Sequence, residues 1–421
     1  MSEWDALRLG SLVSIRKGKL ARLSPNPKDG FLPYLGAGAL EGRIEAFAET
    51  SSAELATNKD VLMLWDGERS GLVGKGYEGV VASTVARLTP KDGVDTAFLF
   101  HALGHKFEWI QARRTGTGVP HVPKDLCDIL IVPIPKSAGE QRAIAAILDA
   151  ADEAIAKTEA LIAKLKSIKQ GLLHDLLTRG LDDNGELRDP DTNEAQFNKT
   201  PLGVRPKEWQ VRPLGQVLLE IGGRLQTGPF GSQLHAHEYQ PDGVPVIMPE
   251  NIQDGRIELQ SIARVSEAKA TAMARHRISA GDIVFARRGD LSRAAATSER
   301  EQGWLCGTGC FLLRLPSGTV NPFWLAEVYR SVYVQRQVEA RSVGSTMLSL
   351  NNTVMESLLI GWPTKAEQDA IMARLDEWSQ RIAGESAYLS KLKGIKKALM
   401  QDLLTGRVRV PGDKAPTFAT G

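Results

Sequence analysis

Two stretches of this chain repeat one pattern of apolar and polar residues. Glu140–Arg179 aligns without a gap to Glu367–Gly406, and 20 of the 40 aligned positions are identical. In both stretches apolar residues recur at alternating spacings of four and three, which is the 3.5-residue period of a coiled-coil seam. We therefore predict two long amphipathic helices, each about 60 Å long at roughly 1.5 Å per residue.

The two predicted seams can serve as partners for each other. A single stripe of this kind is more typical of ordinary core packing, but two matched stripes in one chain favour pairing within the chain. The pattern itself allows a parallel or an antiparallel sense. The predicted seam residues are Ile144, Leu148, Ile155, Ile162, Leu165, Leu172 and Leu176 in the first helix, and Ile371, Leu375, Ile382, Leu389, Leu392, Leu399 and Leu403 in the second.

Short β-rich runs broken by glycine precede each long helix. They include DVLMLWDG and GVVASTVARLTP in the first half, and VPVIMPENI, GDIVFARRGD and CFLLRLP in the second. Each set leads into a predicted shorter helix and then into a loop of small polar residues. A weak alignment at a constant offset of 205 relates Trp4 to Trp209 and Gly18 to Gly223. We infer that one unit, consisting of a domain and a helix, is duplicated.

This order predicts an α+β fold, in which two mixed α/β domains are joined by two long helices that form an intramolecular coiled coil with pseudo-twofold symmetry. A polar segment between the two units is typical of a linker. The predicted boundaries are 1–135 for the first domain, 136–180 for the first helix, 181–207 for the linker, 208–363 for the second domain, 364–406 for the second helix and 407–421 for the C-terminal tail.

Composition adds little that is specific. The chain has 421 residues, a net charge of +2 and only three cysteines, so no disulfide framework is expected and a reducing cytoplasm fits best. No run of 18 apolar residues occurs and the N-terminus lacks an apolar signal segment, so we expect no membrane partner. An anion-binding surface would have to be a local patch.

Several motifs together resemble the specificity subunit of type I restriction–modification systems. They are the duplicated helix that begins E-Q-x-A-I and ends L-L-T, the segment GPFGSQL at Gly228–Leu234, and the following GVPVI and GDIVFARRG. The resemblance covers nearly the whole chain. It implies a non-catalytic subunit whose two target-recognition domains bind the halves of a bipartite, asymmetric site in double-stranded DNA.

The same resemblance implies partners and cofactors. The two helices would pair antiparallel as a spacer, and two methyltransferase subunits and ATP-driven restriction or translocase subunits would assemble around them. The complex would direct adenine-N6 methylation and ATP-dependent restriction. No cofactor is expected in this chain, whereas the partner subunits would use S-adenosylmethionine, ATP and Mg²⁺.

The charged residues support a DNA-contacting surface independently of that resemblance. Residues 211–363 contain fourteen arginines and one lysine against fourteen acidic residues. The planar guanidinium can bind guanine O6 and N7 together, which lysine cannot do. The predicted DNA-binding residues are Arg69, Lys75, Arg113, Arg114, Thr117 and His121 in the first domain, and Phe230, Ser232, Gln233, Arg287, Arg288, Arg293, Arg341, Ser345 and Asn351 in the second. For each arginine, a solvated ion pair is the alternative role.

Other motifs are weaker. Gly74–Gly79 fits GxGxxG, but a β-like run follows where a nucleotide-binding helix is required. Cys306 and Cys310 could form a zinc site only with His235 and His237. Asp242 with a Glu267-x-Lys269 pair imitates a metal-dependent nuclease, although SEAKATAMARHR is typical of a helix.

No catalytic constellation is predicted. A P-loop is absent, and Asn321-Pro322-Phe323 lacks the second proline of the adenine-methyltransferase signature. We therefore predict a protein that recognises DNA without modifying it. Two alternatives from other classes remain at this stage, namely a two-headed protein-interaction scaffold with no nucleic-acid role and a metal-dependent nuclease.

Overall fold

We analysed the protein in a computed structural model, in which residues 3–116, 118–342 and 349–411 are described. The contacts of the chain define two compact units. Unit 1 comprises Met1–Ile162 and Gly384–Gly421, and unit 2 comprises Ala163–Ala383. Each unit therefore contains a domain and part of both long helices.

Unit 1 contains the first domain. Its strands are β1 (Trp4–Arg8), β2 (Val13–Lys17), β3 (Leu23–Ser24), β4 (Phe31–Leu35), β5 (Phe47–Glu49), β6 (Leu55–Ala56), β7 (Val61–Leu64), β8 (Val73–Lys75), β9 (Gly79–Val81), β10 (Val85–Pro90) and β11 (Ile131–Pro135). Its helices are α1 (Leu9–Leu12), α2 (Ala37–Leu40), α3 (Thr96–His105), α4 (Phe107–Gln111), α5 (Leu126–Ile129) and the start of α6 (Ala138–Arg179).

A four-stranded antiparallel sheet in the order β2-β10-β7-β8 separates two hydrophobic cores of unit 1. Every residue of β7 is buried, because Val61 and Met63 pack on one face while Leu62 and Leu64 pack on the other. A strand that is covered on both faces reads as a continuous apolar run. The helix α3 covers one face, and Asp95 caps its N-terminus by accepting a hydrogen bond from the Phe98 amide.

Unit 2 contains the second domain. Its strands are β12 (Phe197–Thr200), β13 (Gly203–Pro206), β14 (Gln210–Pro213), β15 (Arg224–Thr227), β16 (Val244–Ile247), β17 (Ile252–Gln253), β18 (Arg256–Ile257), β19 (Ala263–Val265), β20 (Ile283–Ala286), β21 (Ala294–Ala296), β22 (Leu305–Cys306), β23 (Cys310–Arg314) and β24 (Leu359–Trp362). Its helices are α7 (Leu214–Ile221), α8 (Glu267–Ala272), α9 (Pro322–Arg330), α10 (Val332–Arg341), α11 (Asn352–Glu356) and the start of α12 (Lys365–Leu403).

The central sheet of unit 2 repeats that of unit 1. Its order, β15-β23-β20-β21, is also four-stranded and antiparallel. The strand β20 is buried along its whole length, with Ile283 and Phe285 in one core and Val284 in another. In both units the strand that precedes the long helix is paired with the strand at the start of the predicted domain, as β1–β11 and β14–β24. The predicted fold class, two mixed α/β domains and two long helices, is confirmed.

One correspondence inferred from sequence is wrong. The Gly18 amide donates to the Val85 carbonyl and the Gly228 amide donates to the Cys310 carbonyl, so Gly18 corresponds to Gly228 and not to Gly223. In both places a Cβ atom would lie about 2.2 Å or closer to a backbone carbonyl oxygen. The offset changes because α1 spans 4 residues whereas α7 spans 8.

The long helices run antiparallel within each unit. In unit 1, Lys393 pairs with Glu159 at 2.7 Å and Lys396 pairs with Asp152. In unit 2, the Lys169 ammonium donates to the Ser379 hydroxyl at 2.7 Å. The residue numbers rise along α6 from Asp152 to Glu159 to Lys169, while those of their partners on α12 fall from Lys396 to Lys393 to Ser379. The seam side chains of both helices are buried or half-buried throughout.

The segment 181–207, which we predict to be a linker, forms ordered structure in unit 2. Its hairpin β12–β13 and the buried side chains of Leu181, Arg188 and Phe197 pack within that unit. Few apolar residues suffice because Leu181 and Phe197 are buried against the rest of the unit. Among the described helices, none is both long and apolar enough to cross a membrane.

Candidate nucleic-acid interface

Two loops of the first domain lie side by side. The loop between β7 and β8 and the loop that follows α4 are joined where the Val122 amide donates to the Trp65 carbonyl at 2.9 Å and the Gly67 amide donates to the Pro120 carbonyl at 2.8 Å. Four of the predicted DNA-binding residues of this domain lie on this loop pair. They are Arg69, Arg113, Arg114 and His121.

Local contacts orient these side chains. The Arg113 guanidinium lies 4.0 Å from the centre of the Trp109 ring, and Arg114 donates to the Glu68 carbonyl at 2.7 Å. Arg69 forms an ion pair with Glu41, but its side chain is 56% exposed, so water screens that pair strongly. These cations are positioned near the loop surface without being enclosed.

The Asp66 side chain connects the loop pair to β2. It accepts from Lys17 at 2.7 Å and lies 2.7 Å from His121 Nδ1. Burial raises the pKa of Asp66, but hydrogen bonds from Lys17 and His121 outweigh this effect and hold the pKa below its ordinary value. The carboxylate therefore stays ionised and fixes the imidazole of His121.

Lys75 is placed elsewhere. It ends β8, and its ammonium donates to both carboxylate oxygens of Asp149 on α6 at 2.6 Å. His101, which is 1% exposed, contacts the same carboxylate at 2.6 Å. Because burial lowers the pKa of His101, its imidazole remains neutral near pH 7. These contacts bind the domain to its helix within unit 1.

His101, Asp149 and Asp152 also form a cluster of metal-ligand type. The ammonium groups of Lys75 and Lys396 already bind the two carboxylates. A cation at this point would have to displace both lysines, so the cluster is better explained as a charge-paired contact between elements.

Sequence reasoning missed three cations in the first domain. Arg16, Lys19 and Arg22 lie on or just after β2, and all three side chains are exposed. Among the described residues, none has an ion-pair or hydrogen-bond partner for its side chain. The repeat could have revealed these cations, because Gly18 corresponds to Gly228, the glycine that begins the GPFGSQL segment. The weak sequence alignment instead paired Gly18 with Gly223, five residues earlier.

The second domain brings together the equivalent loops. The loop between β20 and β21 meets the segment that follows α10 where the Leu350 amide donates to the Arg287 carbonyl at 3.0 Å. The Arg287 amide donates to the Gly309 carbonyl, next to the point where Gly228 begins the GPFGSQL segment. Three loops that carry predicted DNA-binding residues therefore share one edge of this domain.

Several predicted residues of this domain have structural contacts. Arg287 donates from Nε to the Leu350 carbonyl at 3.1 Å, and Arg293 donates to Asp290 at 3.1 Å. Asn351 caps α11 by accepting from the Val354 amide, and Arg341 donates to Gln337 on its own helix. These side chains shape the edge, although Arg341 and Asn351 remain exposed.

Other predicted residues are available to a ligand. Arg288 is exposed, and its side chain has no hydrogen-bond or ion-pair partner within the described part of the chain. Phe230 is 57% exposed, and Ser232 beside it is also exposed. The Gln233 side chain accepts from the Phe230 amide at 3.1 Å, which holds the turn, while Leu234 is buried and anchors it. Thr117 and Ser345, which are also predicted DNA-binding residues, lie outside the described residues.

Ion pairing, the alternative role of the arginines, accounts for some of the fourteen arginines in residues 211–363. The paired arginines are Arg212 with Glu220, Arg277 with Glu267, Arg293 with Asp290, Arg300 with Glu301, Arg314 with Asp282, and Arg330 with Glu327. Arg288 is not in this set, which makes it the strongest base-contact candidate of the edge.

The weaker motifs find no support. Glu267 and Lys269 lie on the helix α8, and Lys269 pairs with Glu238 at 2.6 Å. Cys306 and Cys310 are buried, and burial together with the neighbouring Cys306 thiol raises the pKa of Cys310. The cluster at His101 is the only group of metal-ligand type among residues 3–116, 118–342 and 349–411.

Comparison with known proteins gives consistent results. Residues 1–167 match the family described as the type I restriction modification DNA specificity domain. The specificity subunit of the type I restriction enzyme MjaVIII from Methanocaldococcus jannaschii is 26% identical over 422 residues, which cover 97% of this chain and 93% of that protein. The putative MjaX specificity subunit of the same organism is 25% identical over 218 residues, covering 50% of this chain and 49% of that protein.

Two solved structures share the fold. The S subunit of a type I restriction–modification system from M. genitalium has a TM-score of 0.56 at 17% identity, covering 95% of this chain and 96% of that one. A chain from a study of complex assembly and conformational transition of the type I system has a TM-score of 0.58 at 17% identity, covering 96% and 98%.

Proposed function

We propose that this chain is a DNA specificity subunit of a type I restriction–modification system and that it binds a bipartite, asymmetric target in double-stranded DNA with one domain for each half. Specificity subunits are the DNA-recognition, non-catalytic component of these systems. The chemistry of methylation and cleavage therefore belongs to other subunits.

The observation that carries the proposal is the repeated loop pair. In the first domain the loop between β7 and β8 meets the loop after α4, and in the second domain the loop between β20 and β21 meets the segment after α10. Many of the predicted residues, chosen from different local sequences, lie on these equivalent loops; they are Arg69, Arg113, Arg114 and His121 in the first domain, and Arg287, Arg288, Arg293 and Asn351 in the second. A duplicated surface with side chains suited to base edges and phosphates fits two half-sites.

Phosphate and base contacts would have different roles. Lys19 and Arg22 in the first domain are exposed cations suited to the phosphate backbone, which would contribute salt-sensitive affinity. Arg288 and Ser232 in the second domain are suited to base edges, which would determine the sequence. Recognition would therefore combine both kinds of contact in each half-site.

The partners follow from the family. We propose that two methyltransferase subunits, which use S-adenosylmethionine, and restriction or translocase subunits, which use ATP and Mg²⁺, assemble with this chain to direct adenine-N6 methylation and restriction. The helices α6 and α12 would act as the spacer that determines the gap between the half-sites. Their lengths of 42 and 39 residues correspond to roughly 60 Å each.

Replacement of one domain tests the proposal. The residues 1–135 would be exchanged for those of a related subunit with another specificity, and adenine methylation would be mapped across host DNA. We expect one half of the methylated motif to change while the other half and the gap stay the same. The matched exchange of residues 208–363 should change the opposite half. If either exchange altered both halves, the assignment of one domain to one half-site would be wrong.

A further inference from the structure

Unit 2 contains a cavity that the proposed function does not use. It has a volume of about 420 Å³ and lies between the C-terminal end of α6, the hairpin β12–β13 and the beginning of α10. Pockets of this size hold small organic molecules. None of the DNA-binding candidates lines it.

A buried arginine forms part of the cavity wall. Arg205 is 5% exposed, and its guanidinium lies 4.9 Å from the centre of the Tyr333 ring. One nitrogen donates to the Val204 carbonyl at 2.7 Å, but Nε is buried without a hydrogen-bond partner. No carboxylate among the described residues pairs with this side chain. A buried guanidinium without a counter-ion is costly, because it loses hydration and gains no ion pair.

Further basic side chains line the same cavity. The side chains of Arg179, Arg336 and His174 line it, and no aspartate or glutamate is present among its described lining residues. Arg179 forms an ion pair with Asp175 at 3.5 Å on its own helix, whereas Arg336 is exposed and has no ion-pair partner within the described chain. The cavity therefore offers three guanidinium groups to whatever occupies it.

The remaining wall is mostly apolar. Phe197 is buried, and Val204 and Val332 are 47% and 61% exposed at the same cavity. A simple phosphate ion would leave these surfaces unfilled, since the volume is many times that of a water molecule, about 30 Å³. The occupant should therefore join an anionic group to an apolar or aromatic body.

We propose that this cavity binds a phosphate monoester with an aromatic body, of about the size of a nucleoside monophosphate. A phosphate monoester carries a charge of roughly −1.5 to −2 near pH 7, which suits three guanidinium groups better than a single carboxylate does. Arg205, Arg179 and Arg336 would bind the phosphate through their guanidinium groups. The hairpin that supplies Arg205 belongs to the segment 181–207 of unit 2, and the described residues of unit 1 contain no equivalent hairpin after α12.

Calorimetric titration of the full chain tests this proposal with four probes. They are AMP, phenyl phosphate, inorganic phosphate and adenosine. We expect AMP and phenyl phosphate to bind with one-to-one stoichiometry, and inorganic phosphate and adenosine to bind at least about tenfold more weakly because each lacks one half of the recognised chemistry. Tighter binding of AMP than of phenyl phosphate would assign the body to a nucleoside.

Arg336→Gln is the main variant, because Arg336 is exposed and its replacement should not disturb folding. We expect it to weaken AMP binding about tenfold, as for the loss of one hydrogen bond to a charged group. Arg374→Gln is the matched control, since Arg374 is an exposed helical arginine of the same unit outside the cavity. Arg205→Met should abolish binding, with thermal unfolding used to verify that the variant is folded.

Three results would overturn the proposal. They are the absence of binding by both AMP and phenyl phosphate, binding of inorganic phosphate as tight as that of AMP, and equal loss of AMP binding in Arg336→Gln and Arg374→Gln. An Arg288→Ala variant separates this site from the DNA surface, because it should retain AMP binding whatever its effect on DNA. Failure of the cavity to bind would leave the two-domain recognition of DNA unaffected.

Discussion

Arg409 forms two hydrogen bonds to Glu140, from Nε to Oε1 at 2.6 Å and from Nη2 to Oε2 at 2.8 Å. Arg409 follows the end of α12, and Glu140 lies in the first turn of α6. The pair therefore connects the end of one long helix to the start of the other within unit 1. Arg409 also binds Glu3 at 2.6 Å, so one guanidinium holds two carboxylates.

Unit 2 has the same arrangement. Arg188 follows the end of α6 and binds Glu367 at the start of α12 at 2.6 Å, and it also binds Glu208 at 3.0 Å. The Trp209 indole donates to Glu367 at 3.1 Å, and the Trp4 indole donates to Glu140 at 3.4 Å. The duplicated unit thus extends beyond each long helix to an Arg-x-Pro segment, LRDP in one copy and VRVP in the other.

The first prediction concerns the buried pair of unit 2. The side chains of Arg188 and Glu367 are 7% and 10% exposed. Arg188→Ala should leave Glu367 buried without its main counter-charge and lower the free energy of unfolding by about 3 kcal/mol. Urea unfolding followed by tryptophan fluorescence measures this. Lys365→Ala, which removes an exposed pair with Asp369, should cost about 0.5 kcal/mol or less. Equal effects of the two variants would contradict a structural role for Arg188.

The second prediction concerns pH. Hydrogen bonding from Arg409 lowers the pKa of Glu140 below its ordinary value of 4.5, and Trp4 contributes, against the opposing effect of burial. Glu140 therefore contributes stability that is fully present above that ordinary value and is lost as the pH falls through the lowered pKa. Arg409→Ala removes the main cause of the shift, so its stability should fall less steeply than that of the wild type between about pH 5 and about pH 3.

Arg407→Ala is the control for this pH experiment. Arg407 lies two residues from Arg409 and forms an exposed pair with Asp402 at 3.2 Å. It has no contact with Glu140, so the variant should retain the wild-type dependence on pH. Parallel curves for the wild type and Arg409→Ala would exclude Glu140 as the source of the acid-dependent loss.

The third prediction separates Lys75 from the other cations of the first domain. Because Lys75 is bound to Asp149, Lys75→Met should lower the free energy of unfolding by about 1 kcal/mol and leave the preferred DNA sequence unchanged. Lys157→Met, on an exposed pair with Glu153, should change neither property. Motif mapping and urea unfolding together measure both effects. If Lys75→Met changed the first half of the preferred DNA sequence, Lys75 would have to be a DNA contact.

The fourth prediction concerns Arg288. Since its side chain is exposed and unpaired in the described chain, Arg288→Ala should not change the thermal stability. It should reduce discrimination at one base pair of the second half-site by about 1–3 kcal/mol, if the guanidinium binds guanine in two places. Competition binding with single-base variants of the target measures this. Uniform weakening on every sequence, with a smaller dependence on salt, would identify a phosphate contact instead.

The fifth prediction concerns the long helices. One heptad inserted after Ile162 and another after Ala383 keep the seam in register and lengthen each helix by roughly 10 Å. At about 3.4 Å per base pair, the preferred gap between half-sites should grow by about three base pairs. DNA turns by roughly 100° over that length, whereas a heptad rotates the helix face by about 20°, so reduced affinity or bent DNA should accompany the change.

Mapping the methylated DNA motif of this insertion variant measures the half-site sequences and the gap between them. The half-site sequences should stay unchanged, because no recognition loop is altered. Insertion into α6 alone is the control, since it displaces the seam and should impair folding or assembly. Altered half-sites with an unchanged gap would show that the helices do not determine the spacing.

The sequence by itself determined the long helices, the duplication and the buried central strands. The helices and the strands depend on local patterns, such as the spacing of Ile144 and Leu148 in α6 and the continuous apolar run of β7. The duplication is visible because the two copies keep 20 identical residues in 40 positions. The antiparallel sense was not available from periodicity, because both senses use the same stripe. It became visible only through pairs such as Lys393–Glu159, which join residues far apart in the chain.

Tertiary structure alone decided the roles of individual charged residues. Lys75, Arg288 and Arg205 are all basic residues, yet one is ion-paired, one is exposed and one is buried beside a cavity. Their surroundings come from other elements: Lys75 meets Asp149 of α6, and Arg205 meets Tyr333 of α10. The charge of a side chain is a property of the sequence, but its desolvation and its partner are set by long-range packing, which no local pattern encodes.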